Sequence, residues 1–223
     1  MLVSHSKKFV FIKTSKTAGT SVEMYFEPYC LPDESTKITE DRDELICSAG
    51  IIGGRGNGVC DNLHSHMPAK SIKELITDKQ WDQYLKFTIV RNPFDRLVSR
   101  YFFNRKVKDA INIGDWKRQY VINDFRLFAQ DSYYPLLGQI TLGPNLVVDK
   151  VIRYESLQEG IAEVCELLNV EFDATKIPHL KSGIRDKSFD IKALYDTATI
   201  RAVEEKYNRE IDLFHYTFES LLE

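Results

Sequence analysis

Cysteine is sparse in this chain: four in 223 residues, at positions 30, 47, 60 and 165, with no CxxC pair. A disulfide framework and the common zinc-ribbon spacings are thereby excluded, and a chain of this length buries a core without covalent staples. Reduced thiols, and with them a cytoplasmic setting, are the expectation. Long apolar runs are also missing. The longest near the start is FVFI, residues 9–12, far short of a membrane span or of the apolar core of a signal peptide. Nor does either charge dominate: 30 basic against 33 acidic residues leave a net charge of −3. Broad nucleic-acid binding is excluded on that balance, and any basic site must be local. With no repeat, low-complexity tract or Pro/Ser linker, residues 1–223 read as a single domain.

What the chain does have is alternation. Apolar runs at residues 7–14, 85–91 (LKFTIVR) and 150–154 (KVIRY) read as strands. Between and after them lie helical patterns: one beginning at Thr20, one led by Pro68 with Ile72, Leu75 and Ile76 on one stripe, and one capped by Asn92 and opened by Pro93. Others cover residues 115–130, a stretch after the capping-box pair Ser156 and Glu159, and residues 191–196 and 199–207. The order predicts an α/β fold, a central parallel sheet flanked by helices, with ligands at the strands' carboxyl ends. Residues 28–63 are poorly patterned. Their five glycines from Gly50 to Gly58 predict a mobile loop or one needing positive φ.

Two strand ends carry basic residues. KTSKTAGTS, Lys13 to Ser21, passes from strand to helix through a Gly-containing turn. Amides at such a helix start attract an anion. Thr17, Thr20 and Ser21 add hydroxyls, Gly19 permits close approach, and Lys16 places a charge at the crown. This is not GxxxxGK[ST], since the lysine precedes the glycine. VRNPFDRLVSRYF, Val90 to Phe102, follows the next strand; Arg91 and Ser99 there could reach one phosphate. The competing reading pairs Arg91 with Asp95.

SKTAGTS followed by FTIVRNPFDRLVSRYF resembles the carbohydrate sulfotransferases that use 3'-phosphoadenosine 5'-phosphosulfate (PAPS), the uronyl 2-O-sulfotransferases in particular. The likeness continues through HMPAKSIKEL, VIRYESL, IPHLKSG and EKYNREIDLFHY; it departs at Ser15, where the family usually has proline. It implies a single P-loop-like sulfotransferase domain in which Lys13, Lys16, Thr17, Ala18, Gly19, Thr20 and Ser21 form the phosphosulfate loop. Arg91 and Ser99 would hold the 3'-phosphate, and Lys181 and Ser182 would come from a late loop over the nucleotide. It further implies PAPS as donor, its bisphosphate PAP as product, no metal, and a carbohydrate or glycoconjugate acceptor.

In-line sulfuryl transfer needs a cation at the leaving oxygen and a base for the acceptor hydroxyl. Lys16 suits the first. By the resemblance, His66 of NLHSHMPA is the base and His64 orients it or the acceptor. Arg55 reads as a solvated loop arginine or a contact for an acidic sugar, and the tyrosines of DFRLFAQDSYY as core. The alternatives are a small-molecule kinase, disfavoured by the missing GK[ST], and a non-catalytic protein of the same fold that binds nucleotides or sulfated glycans.

Overall fold

The structure, a computed structural model, describes residues 1–32, 37–108, 116–178, 180 and 189–221. The chain forms two compact units, one of residues 1–90 and 136–180, the other of residues 91–135 and 181–223.

Among the described residues the first unit holds every strand: β1 (Leu2–Ser4), β2 (Phe9–Ile12), β3 (Leu45–Ile46), β4 (Gly50–Ile52), β5 (Leu85–Val90), the two-stranded ribbon β6 (Thr141–Leu142) and β7 (Asn145–Leu146), and β8 (Lys150–Arg153). Strands β2, β5 and β8 pair in parallel, with Phe11 opposite Phe87 and Thr88 opposite Val151. This is the parallel centre that the alternation predicts, and β5 is buried almost throughout because both its faces are covered. The full order is β3-β4-β1-β2-β5-β8.

The three added strands run antiparallel, with β1 between β2 and β4 and β3 outermost. None is predicted by pattern, because β1 is three residues long and β3 and β4 lie in the glycine-rich stretch. Those glycines serve close approach more than mobility. A Cβ at Gly50 would lie 2.2 Å from the Val3 carbonyl oxygen of the paired strand. Within the run only Gly56 takes a positive φ, 64°. The strand expected over residues 7–14 is shorter because Lys8, at φ 54°, turns the chain between β1 and β2.

The helices, in chain order, are α1 (Gly19–Phe26), α2 (Ala69–Lys73), α3 (Asp78–Gln83), α4 (Pro93–Phe103), α5 (Arg118–Asp131), α6 (Leu137–Ile140), α7 (Leu157–Leu167), α8 (Ile191–Leu194) and α9 (Thr197–Phe214). In the first unit, α1 and α7 cover the sheet. Phe26 meets Phe87 edge-on at 5.1 Å and Phe11 stacks on Phe87 at 5.1 Å; Ile161, Val164 and Cys165 of α7 join the same core. Pro68 is the cap of α2 and not its first residue. The helix closes at Lys73, so Leu75 and Ile76 fall outside it. A Thr77–Gln80 capping box then starts α3. The box expected at Ser156 does not form: a 3₁₀ turn, Tyr154–Ser156, leads into α7 and Ser156 makes no side-chain cap bond.

In the second unit Asn92 caps α4 as expected, its Oδ1 accepting from Phe94 N at 3.1 Å. Leu97, Val98, Tyr101 and Phe102 are buried against Val121 and Phe125 of α5 and Val203 and Tyr207 of α9. Tyr133 and Tyr134 are not core. They follow the end of α5, where helical spacing no longer applies, and are 57% and 38% exposed. Among the described residues no helix is long and apolar enough to cross a membrane.

Candidate functional site

Between β2 and α1 the chain turns through residues 13–18 with two non-glycine residues in the left-handed region, Lys16 at φ 64° and Ala18 at φ 62°. Each is a conformation that the surroundings must hold in place. Thr14 Oγ1 donates to the Ile89 carbonyl of β5 at 2.5 Å. Thr17 Oγ1 lies 2.9 Å from Thr14 Oγ1 and 3.2 Å from Thr14 O, so its proton serves the loop itself. Ala18 is the N-cap of α1; its carbonyl accepts from Ser21 N at 3.0 Å and Val22 N at 3.4 Å. Gly19 and Thr20 head this first turn, and their own N–H groups have no acceptor within the helix. A Cβ at Gly19 would lie 2.7 Å from Lys13 Cγ, so this position demands glycine for space. Thr17 and Ser21 are buried, while Lys16, Ala18 and Thr20 are half-buried.

Beneath the loop is a buried cluster of charges. Lys13 Nζ sits 2.7 Å from Glu23 Oε2 and 3.5 Å from Ser65 Oγ. Glu23 also takes the Met1 ammonium on Oε1 at 2.7 Å, and Arg55 Nη1 lies 3.7 Å from its Oε2. Arg55 pairs with Glu27 as well, whose other oxygen meets Arg42 Nε at 3.2 Å. Burial opposes ionisation of Glu23, but the Met1 ammonium and Lys13 hold its pKa below the ordinary value. For Glu27 burial wins and its pKa is raised. Arg55 is thus neither solvated nor open to a sugar: it is 4% exposed and part of the support of α1.

The two histidines of NLHSHMPA part company. Gly54, just past β4, bonds to the following segment: Gly54 N donates to Leu63 O at 2.7 Å and Ser65 N to Gly54 O at 2.8 Å. That pairing leaves His64 exposed and carries His66 to the carboxyl end of β2. His66 Nδ1 lies 3.2 Å from the Lys13 carbonyl, and Gln139 Nε2 of α6 donates to His66 O at 3.2 Å. A carbonyl only accepts, so Nδ1 carries the proton and Nε2 keeps its lone pair. Burial first, then the charges of Lys13 and the Met1 ammonium, lower the His66 pKa to about 4.

Arg91 and Ser99 belong to the second unit. Arg91 makes the pair that its competing reading foresaw, Nε at 2.7 Å and Nη2 at 2.6 Å from Asp95 Oδ2, both residues buried. Ser99 is half-buried on α4. Lys181 and Ser182 lie outside the described residues. Among the described residues no group of three or more His, Cys, Asp or Glu side chains could hold a metal ion. The structure therefore brings together Lys13, Lys16 to Ser21 and His66. It adds Glu23, Ser65 and Gln139, which pattern reasoning passed over. Glu23 alone left a trace, as the one charge in the otherwise apolar VEMYF.

A model described as the sulfotransferase family matches residues 1–132. An uncharacterized protein of Archaeoglobus fulgidus is 29% identical over 110 residues, 47% of this chain and 83% of that protein.

Proposed function

The chain belongs to the sulfotransferase family, and from that premise we propose that it moves a sulfuryl group from PAPS to a hydroxyl of a carbohydrate or glycoconjugate. The observation that carries this reading is the meeting of His66 Nδ1 with the Lys13 carbonyl at 3.2 Å, which sets an acceptor imidazole nitrogen beside the anion-binding turn. The turn itself fits a phosphosulfate. Its left-handed Lys16 and Ala18 reverse successive peptide groups, its first helical turn offers unpaired N–H donors, and Gly19 leaves no side chain in the way.

When bound, the donor supplies an activated sulfuryl group and a phosphate leaving group. Lys16 stands at the crown of the turn, where its ammonium would balance charge developing on the leaving oxygen. Gly19, Thr20 and Ser21 would bind by backbone and hydroxyl donors, and Thr17 holds the shape of the turn. Neutral His66, fixed as the Nδ1–H tautomer, would take the acceptor proton at Nε2. Arg91 and Ser99 are assigned to the 3'-phosphate by their motif, and Lys181 and Ser182 keep the nucleotide-loop role that the resemblance implies.

Calorimetric titration with adenosine 3',5'-bisphosphate, with ATP/Mg²⁺ in parallel, tests the reading. Metal-independent binding of the bisphosphate, weakened in Arg91→Ala, is the expected result. Preference for ATP/Mg²⁺, or binding of neither, overturns it.

A further inference from the structure

Lys13 is a lysine at the head of an anion-binding turn, yet its ammonium points into the protein. It meets Glu23 Oε2 at 2.7 Å and Ser65 Oγ at 3.5 Å, and only 3% of the residue is exposed. Its backbone carbonyl, meanwhile, holds His66 Nδ1. One residue thus holds the imidazole by its backbone and places its charge in the buried cluster beneath the turn. We propose that Lys13 is a positioning residue: its carbonyl fixes the His66 tautomer, and its ammonium, restrained by Glu23, adds to burial in keeping the ring neutral so that Nε2 stays open to an acceptor proton. This role rests on reading His66 as the base, and it assigns Lys13 and Glu23 a function other than holding the donor.

The charges around His66 come from several elements. Lys13 at the end of β2 and the Met1 ammonium at the start of β1 oppose protonation of the ring, and Glu23 of α1 favours it. Arg55, beyond β4, acts through Glu23, and Gln139 from α6 is neutral. Two substitutions therefore have opposite signs. Lys13→Met removes a positive charge and must let His66 protonate more easily. Glu23→Gln removes a negative one and must make protonation harder. A merely structural role behaves differently: loosening the site by either change would hydrate the ring and move both variants the same way, toward the ordinary value.

The test is a pH titration of the His66 imidazole resonances by NMR on the full chain without ligand, the signal identified by its loss in His66→Gln. Lys13→Met should move the midpoint from about 4 toward the ordinary 6.5, and Glu23→Gln should move it down. Two upward movements, or no movement, overturn the proposal. Should Lys13→Met fail to fold, Glu23→Gln decides alone: a fall supports the proposal, and a rise or no change ends it. The acid limb of kcat/KM is read separately. If the resonances shift in opposite senses while that limb stays still, Lys13 governs His66 as proposed and the base assignment is what fails.

Discussion

Lys13 and Glu23 stand ten positions apart in the chain and meet as a buried ion pair, Nζ to Oε2 at 2.7 Å. The pair ties the end of β2 to the middle of α1, the two elements that the turn at residues 13–18 joins. A loop closed from below in this way holds its left-handed residues without help from a ligand. The same two side chains also anchor a larger buried cluster, and its energetics can be measured.

Removing one member of that cluster should hurt far more than removing a matched pair. Arg55 Nη1 forms an ion pair with Glu27, which burial already pushes toward protonation. In Arg55→Leu the Glu27 carboxylate keeps, among the described residues, only Arg42, and the expected loss is about 3–5 kcal/mol. Arg55→Leu combined with Glu27→Leu should recover most of that, since both desolvation costs vanish together. Urea denaturation of the two single variants and the double measures the coupling. A double variant as unstable as the sum of the singles would show that the two side chains do not interact.

His66 gives stability a particular pH dependence. Its pKa is about 4 folded against 6.5 as an ordinary histidine. Above pH 6.5 neither state is protonated and the group contributes no slope. Between 6.5 and 4 the unfolded chain takes the proton and the folded one does not, so stability is lost as pH falls through that window. The loss totals roughly 3 kcal/mol, about 1.4 kcal/mol for each pH unit of the gap. Below 4 both forms are protonated and the loss levels off. His66→Gln removes this contribution. The stability difference between wild type and His66→Gln should therefore drift across that window in favour of the variant, and parallel curves would refute a half-buried imidazole held neutral.

Glycine positions separate tight packing from open surface. A methyl at Gly50 would run into the Val3 carbonyl at 2.2 Å and Cys30 at 3.1 Å, and the first of these is backbone within a paired strand. Gly50→Ala should cost about 1–3 kcal/mol or more. Gly138, within α6, has nothing within 4 Å of its added Cβ. Gly138→Ala should be neutral or stabilising by about 0.5–1 kcal/mol, as helix propensity and chain entropy dictate. Melting curves of the two variants provide the check, and a stabilised Gly50→Ala would mean that β1 and β4 do not pair as described.

Much of this arrangement was legible in local pattern. Short runs rich in apolar and β-branched residues mark β2, β5 and β8, and the run is wholly apolar in β2, which is buried throughout. Asn92-Pro93 marks the start of α4 because cap and first-turn chemistry are local. The turn KTSKTAGTS could be recognised for the same reason. The antiparallel edge was not legible: β3 and β4 are held by backbone pairing and by space for glycine, and neither leaves an apolar period. The fate of charged side chains was hidden as well. Arg55 and Lys13 look like solvent or ligand contacts until Glu23 and Glu27, both on one turn-to-turn face of the chain from α1 onward, are brought beneath them. Ion pairs between residues far apart in sequence have no local signature, so a lysine at the head of the turn can belong to its buried floor.

The kinetic consequence of His66 follows from its tautomer and its charge together. With Nδ1–H held by the Lys13 carbonyl, only Nε2 can accept a proton, and the ring is already neutral throughout the physiological range. If His66 is the base, kcat/KM, which reports the free enzyme, should stay flat on the acid side until pH nears 4. His66→Ala should lower transfer by about 10²–10⁴-fold while leaving adenosine 3',5'-bisphosphate binding intact, since the imidazole acts on the acceptor side. His64→Ala, at an exposed ring, should lose far less. An acid limb near 6.5 that persists in His66→Ala would point to a different histidine or to the acceptor itself. Steady-state rates from pH 4.5 to 8 on the wild type and both variants, with sulfate transfer as the readout, decide between these outcomes.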